Sequence, residues 1–99
     1  MSHPSTSLTS AMRAAFWQVV EDCLVEFHAM LRERAVFDVA ELRRDVETAP
    51  SDIDGDLVYH SEPFYTACDL AGLVDLGEQD RLLDGNRAKY ESILTIHGW

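Results

Sequence analysis

Apolar residues recur at intervals of three and four positions in the first third of the chain. Over residues 10–34 they fall on one stripe of a helical wheel, with charged residues outside it. The stripe contains Met12, Phe16, Val19, Val20, Cys23, Leu24, Phe27 and Leu31. The pattern predicts a first helix over residues 10–34. The Ser- and Thr-rich segment over residues 1–9 is expected to be a flexible tail.

A second helix is predicted to begin at Asp38, where three start signals coincide. Asp38 can cap the first turn, Glu41 at the third helical position can complete a capping box, and Phe37 just before the cap can act as a hydrophobic staple. Pro50 stops this helix near Thr48. Because the connection between the two helices is short, we expect them to pack antiparallel.

The stretch over residues 50–72 is dense in acidic and aromatic residues. We expect a short helix in its first half, and Ser61 can cap a second one that has Pro63 in its first turn, where a missing N–H costs little. Gly72 is the natural residue after the end of that helix. The sequence therefore predicts a third helix that is short or kinked at residues 60–63.

The last third of the chain begins without a clear period. Residues 73–85 are mixed, and the Asp84-Gly85 pair at their end is expected to interrupt the chain. A final helix is predicted over residues 86–97, ended by Gly98, and its inward side chains are Tyr90, Ile93 and Leu94. Since no strand-like alternation occurs, we expect one all-α domain over residues 10–99, a small four-helix bundle.

Charge is distributed unevenly along this helical pattern. The 99 residues carry 18 Asp and Glu against 8 Lys and Arg, a formal net charge of -10. Between Asp45 and Asp84 there are eleven acids and one base, Arg81, whereas the rest of the chain is balanced. Such a surface repels phosphate and anionic lipid, so we expect no direct binding to nucleic acid or membranes. A basic protein is the favoured partner.

The triplet Asp52, Asp54 and Asp56 invites comparison with a calcium-binding loop. When Asp52 takes the first position, glycine falls at position four instead of six, and Glu62 falls at eleven instead of twelve. Both defining residues are therefore misplaced. The sequence predicts no metal site at this cluster.

Catalytic motifs are also incomplete. His60 and Glu62 match half of a zinc deaminase signature, but Cys68 has no second cysteine at the required spacing. Cys23 and Cys68 are expected to be buried thiols in a reducing compartment. The polar start over residues 1–10 and the absence of a long apolar run predict a soluble cytoplasmic protein.

No catalytic residue, cofactor or metal is therefore expected, and the chain is not expected to be an enzyme. A small metal-binding or enzymatic protein that uses His60, Glu62 and Cys68 remains an alternative.

Aromatic residues ringed by acids suit an interface with a basic protein. Tyrosine offers a large contact area at low entropic cost, and the carboxylates speed the encounter. The candidate partner-binding residues are Asp52, Asp54, Asp56, Tyr59, His60, Glu62, Tyr65 and Asp69. A nucleic-acid mimic, in which acids replace phosphates and the rings are not needed, is the second hypothesis.

Two motifs resemble those of the colicin and pyocin nuclease immunity proteins. Pro-Ser at residues 50–51, followed after a small insertion by Asp-Leu-Val-Tyr-His at residues 56–60, is similar to their P-S-x-x-D-L-I-Y-Y signature. Phe-Trp-Gln-Val-Val at residues 16–20, with Cys23, is similar to their first-helix pattern. The segment over residues 63–72 has no counterpart in that family.

This resemblance implies a small acidic four-helix bundle that binds a basic nuclease toxin beside its active site and blocks the substrate DNA. Asp56 and Tyr59 stand at positions that dominate binding in the family, and His60 stands where the family has a second tyrosine. The expectation is a bacterial immunity protein or antitoxin.

Overall fold

The computed structural model describes residues 10–48, 59 and 61–99, and within these ranges the chain forms five α-helices and no β-strand. The all-α prediction is confirmed. The helices are α1 (Ser10–His28), α2 (Arg32–Glu47), α3 (Pro63–Leu70), α4 (Leu76–Gly85) and α5 (Arg87–Ile96). None of these helices is long and apolar enough to cross a membrane.

The expected flexible tail over residues 1–9 lies outside the described residues, as does the short helix expected through Tyr59 except for Tyr59 itself. Of the kink predicted at residues 60–63, His60 also lies outside them, whereas Ser61 and Glu62 are not helical and the next helix begins at Pro63.

Helix α1 is the centre of the fold, because α2, α3 and α5 all pack against it. Its predicted stripe supplies most of the core, although Met12 and Leu31 at the two ends of the stripe are exposed. Cys23 on α1 and Cys68 on α3 are both buried, as predicted, and both are free thiols. The other buried residues of α1 are Phe16, Trp17, Val19, Val20 and Leu24.

An aromatic cluster surrounds Phe16 on α1. The Phe16 ring meets Trp17, Tyr59 and Trp99 at centroid distances of 5.0, 5.2 and 5.6 Å, each in an edge-to-face arrangement. The indole N–H of Trp17 donates to the Tyr59 hydroxyl at 2.9 Å. Such edge-to-face pairs add about 0.5–1.5 kcal/mol each beyond the burial of their area. Residue 59 is therefore tied directly into the core.

The first predicted helix is too long. Helix α1 ends at His28, where Ala29 takes a left-handed conformation with φ of 54° and the Met30 N–H donates to the Leu24 carbonyl at 3.1 Å. Alanine in this conformation costs about 1–2 kcal/mol, and glycine is the usual residue there. No glycine marks the break, so the sequence carries no signal for it.

Helix α2 correspondingly begins at Arg32, well before the predicted start at Asp38. Asp38 lies inside the helix and accepts from Arg34 one turn earlier at 3.1 Å, so it does not cap. Phe37 is 60% exposed and is no staple. The residue before the helix, Leu31, has no capping side chain, and burial of Ala35 against α1 in the first turn accounts for the earlier start.

The antiparallel pairing of α1 and α2 and the end of α2 agree with prediction. Arg32, at the start of α2, contacts Asp22 near the end of α1 at 2.8 Å. Ala14 early in α1 and Arg43 late in α2 line one groove. Helix α2 ends at Glu47, one residue before the predicted Thr48.

Helices α3 and α5 end in the same way, with glycine just beyond the helix. Gly72 has a φ of 88°, and the Leu73 N–H donates to the Cys68 carbonyl at 2.9 Å. Gly98, at 71°, closes α5 similarly. These endings confirm the two predicted glycine stops. The start of α3 at Pro63 is also confirmed, but Glu62 occupies the cap position that Ser61 was expected to take.

Residues 73–85 contain a helix that the sequence analysis missed. Asp75 precedes α4 and its carboxylate accepts from the Glu78 N–H at 3.0 Å. An acid followed three residues later by glutamate is a helix-start signal. The predicted interruption at Asp84-Gly85 is confirmed, because α4 ends at Gly85.

Candidate functional site

The acidic α3–α4 face consists of Glu62, Tyr65, Asp69, Asp80 and Asp84. The first three are spaced by three and four residues, so they lie on one side of α3 and the residue before it. The two aspartates are one helical turn apart on α4. The Tyr65 hydroxyl donates to the Asp80 carboxylate at 2.7 Å and joins the two helices. Three of the eight predicted partner-binding residues therefore lie on one face.

Two more carboxylates of this face are held by neutral donors. The Tyr90 hydroxyl on α5 donates to Glu62 at 2.6 Å. The buried Gln79 side chain donates to Asp69 at 2.9 Å and to the Leu73 carbonyl at 2.6 Å. A hydroxyl or an amide orients a carboxylate without cancelling its charge. The charges of Glu62, Asp69 and Asp80 are thus fixed in position and still available to an outside cation.

Cations contribute little to the acidic α3–α4 face. Over residues 61–84, six acids stand against one base, Arg81. Arg87 contacts Asp84 at 3.4 Å across exposed side chains, a pair of the kind that contributes only about 0–1 kcal/mol. The acids of this segment are Glu62, Asp69, Asp75, Glu78, Asp80 and Asp84.

Two of these acids oppose the helix dipole. Asp69 lies in the last turn of α3 and Asp84 in the last turn of α4, and neither last turn holds a base. The negative end of a helix disfavours a carboxylate by about 0.3–1 kcal/mol when it is exposed. The electrostatics of the two helices therefore do not account for acids at these positions.

The hydroxyl of Tyr65 is a persistent donor. Its hydrogen bond to Asp80, together with partial burial, raises the pKa of Tyr65 to about 12. Burial and the contact with Glu62 likewise raise the pKa of Tyr90 above its usual value. Both hydroxyls therefore stay protonated at neutral pH, and both keep their carboxylates in place.

The structure places the candidate partner-binding residue Tyr59 in the core. Its side chain is only 7% exposed, and its hydroxyl accepts from Trp17 and donates to Glu47 at 3.4 Å. Burial raises the pKa of Tyr59. The sequence left open whether Tyr59 lies at the surface or in the core, and the core is what is observed, because its ring fills the space beside Phe16. The remaining candidates Asp52, Asp54, Asp56 and His60 lie outside the described residues.

Sequence reasoning missed Asp80 and Asp84 as members of the face. Both lie on α4, and without that helix their spacing of four residues does not place them on one face. The signal that could have found them is the Asp75 and Glu78 pair that begins the helix.

The alternative chemistry at Cys68 finds no support in its surroundings. The thiol is fully buried, and burial followed by the nearby Asp69 charge raises the pKa of Cys68 to about 11. A thiol with so high a pKa is a poor nucleophile. Among the described residues, no group of three His, Cys, Asp or Glu side chains is arranged to hold a metal ion.

No protein-family model matches the chain, and neither a curated protein nor a solved structure matches it.

Proposed function

We propose that this protein is an acidic binding module that inhibits a basic partner protein, most concretely an immunity protein or antitoxin that neutralises a nuclease-type toxin in the bacterial cytoplasm. The observation that carries the proposal is the acidic α3–α4 face. Its carboxylates are oriented by hydroxyl and amide donors, and a tyrosine lies among them.

The electrostatics of the face suit a partner that binds phosphate. A nuclease needs Lys and Arg side chains around its substrate, and a patch of fixed carboxylates attracts that surface over long range. Attraction of this kind raises the association rate more than the final affinity. An inhibitor seated there excludes DNA by occupying the charges that DNA needs.

Tyr65 is the contact that gives this face specificity. Its ring is partly exposed, packs edge-on against Phe64 at 5.8 Å and is held by the bond to Asp80. A tyrosine fixed in this way loses little entropy on binding, which is why tyrosine is enriched among residues that dominate interfaces. An interface of about 1,600 Å² is feasible on a domain of this size.

The resemblance to nuclease immunity proteins supports the same proposal. Proteins of that family are four-helix bundles, whereas the described residues of this chain form five helices. Because Tyr59 is buried, its side chain cannot contact a partner as the family's tyrosine motif does. In the proposal, the acidic α3–α4 face takes over the role that the family gives to the tyrosine motif.

The test uses a purified basic nuclease domain and measures both DNA cleavage and the association rate over a range of salt. We expect inhibition of cleavage and an association rate that falls steeply as salt rises. The double variant Asp80→Asn and Asp84→Asn should associate about tenfold more slowly at low salt. The control, Glu33→Gln and Asp45→Asn on α2, removes the same charge elsewhere.

Equal slowing by the two double variants would assign the effect to net charge and contradict a defined face. An association rate that ignores salt, or failure to inhibit any basic nuclease, would contradict the function itself.

The nucleic-acid mimic is the second candidate, and the burial of Tyr59 and Phe64 favours it. Among the described candidates, Tyr65 is then the aromatic side chain left to anchor a partner. Tyr65→Ala separates the two hypotheses, because an anchored inhibitor should lose at least about 2 kcal/mol of binding free energy, whereas a mimic should keep most of it. Tyr65→Phe, which keeps the ring, is the matched control.

A further inference from the structure

A groove of about 220 Å³ lies between α1 and α2. Trp17 and Val39, both nearly buried, line its apolar floor, and Val36 and Ala40 line it on the α2 side and are exposed. Sites for drug-sized ligands occupy about 300–1,000 Å³. This smaller groove suits side chains presented by another protein surface.

Helix α2 has more apolar surface than α1 covers. Ala35 and Val39 are buried against α1, yet Val36 is 44% exposed and the neighbouring Phe37 and Ala40 are exposed as well. The contacts of α2 with the other described helices are mainly with α1. A contiguous apolar surface next to a groove, bordered by charged side chains, is typical of an interaction site.

The two charged residues that line the groove have opposite sign and lie at opposite ends. Glu21 is close to Arg32 at the start of α2, with 3.7 Å between side chains. Arg43 is eleven residues further along α2, which places it about 16 Å away along the helix axis. Both side chains have partners within the chain, Arg32 and Glu47, and both remain partly exposed.

We propose that this groove binds a second copy of the same chain, related by a two-fold axis that crosses α2 at right angles. Such an axis reverses the direction of the groove, so Glu21 of each copy lies opposite Arg43 of the other. Val36 and Ala40 of the two copies then meet at the centre. A surface with an acid at one end and a base at the other is complementary to itself in this way.

The distribution of charge allows this association in spite of the net charge of -10. Residues 10–48, which form α1 and α2, carry eight acids against five bases, whereas residues 61–84 carry six acids against one base, and α3 and α4 have few contacts with α2. The dimer therefore joins the parts of the two chains in which the excess of acids over bases is smaller. The acidic α3–α4 face of each copy stays available, so the dimer does not depend on the proposed function.

The experiment is sedimentation velocity of the full chain over a range of concentrations, with circular dichroism to verify folding. We expect a dimer with a dissociation constant below about 1 mM. Ala40→Glu places a charge at the centre of the interface and should raise that constant at least about tenfold. Ala88→Glu, the same change at an exposed position on α5, should leave it unaltered.

Charge reversal tests the symmetry. Glu21→Lys alone and Arg43→Glu alone should each weaken the dimer, and the double variant should restore it, because the reversed charges again meet their opposites. The proposal is overturned by a chain that stays monomeric up to about 1 mM. It is also overturned if Ala40→Glu and Ala88→Glu act alike, or if the double variant is as weak as the single variants.

Discussion

The α1–α2 pair and the acidic α3–α4 face hold their carboxylates in different ways. Three acids of α2 meet cations within one helical turn. On the face, three of the four acids meet a tyrosine hydroxyl or an amide, and the fourth, Asp84, contacts Arg87. The ion pairs are Arg34–Asp38, Arg43–Glu47 and Arg44–Glu41, and the neutral contacts are Tyr65–Asp80, Tyr90–Glu62 and Gln79–Asp69. Paired charges stabilise their own helix by a few tenths of a kcal/mol. Acids held by neutral donors keep their charge for an outside partner.

The largest expected effect is the loss of unfolding free energy when the buried Tyr59 is truncated, compared with the loss when the surface residue Tyr65 is truncated. Tyr59→Ala should lower the free energy of unfolding by about 3–5 kcal/mol, because it leaves a cavity beside Phe16 and a buried Trp17 N–H without its acceptor. Tyr65→Ala should cost about 1 kcal/mol. Urea unfolding followed by circular dichroism measures both. Similar losses for the two variants would remove the distinction between core and face.

The next effect concerns Asp22 on α1 and the dependence of the protein's stability on pH. Burial acts to raise the pKa of Asp22, but the hydrogen bonds from His97 and Arg32 outweigh it and lower the pKa below 3.8. The resulting stabilisation is complete above pH 3.8 and is lost as the pH falls through the lower pKa of the folded state.

Asp22→Asn should therefore destabilise the protein by about 1–2 kcal/mol at pH 7 and have little effect in strong acid. Thermal unfolding across this pH range is the measurement. An equal loss at both extremes would show that shape, and not charge, is what Asp22 contributes.

A smaller effect is expected at the connection between α1 and α2. Ala29→Gly should raise the free energy of unfolding by about 0.5–1 kcal/mol, because glycine adopts the left-handed conformation without a steric penalty. Gly72→Ala is the opposite change in the same conformation, and no atom lies within 4 Å of the added Cβ. It should lower the stability by a similar amount, and opposite signs in urea unfolding would verify the pair.

The smallest effect concerns the acids of the face. Asp69→Asn should stabilise the protein by about 0.3–1 kcal/mol, because it removes a negative charge from the C-terminal turn of α3 and can still accept from Gln79. The gain should shrink as salt is added. If the variant is less stable than the original at low salt, Asp69 has a structural role that the contacts do not explain.

The elements that could be predicted are those with a local signal. The stripe on α1 follows from its spacing of three and four residues, and the ends of α3 and α5 follow from Gly72 and Gly98. The break after His28 could not be predicted, because Ala29 has no conformational preference for it and packing of α2 on α1 decides the turn. Helix α4 also has a local signal, the Asp75 and Glu78 pair at its start, although the mixed pattern of residues 73–85 did not lead to its prediction.

The candidate site was predictable in composition but not in arrangement. Glu62, Tyr65 and Asp69 were named because acids and rings cluster along the chain, and their spacing does place them on one side of α3. Whether Tyr59 faced solvent depended on Phe16 and Trp17, more than forty residues away. Contacts over such a distance leave no trace in the local pattern of a single sequence.

Both tryptophans of the chain contact the same ring, that of Phe16. Intrinsic fluorescence excited at the indole band consequently reports on the surroundings of α1, whereas far-ultraviolet ellipticity sums over every helix. If α3 and α4 loosen before the interior opens, the ellipticity signal will change at lower denaturant than the emission. Fluorescence and circular dichroism of one sample would thus show whether α3 and α4, which carry the acidic face, unfold before the core around α1.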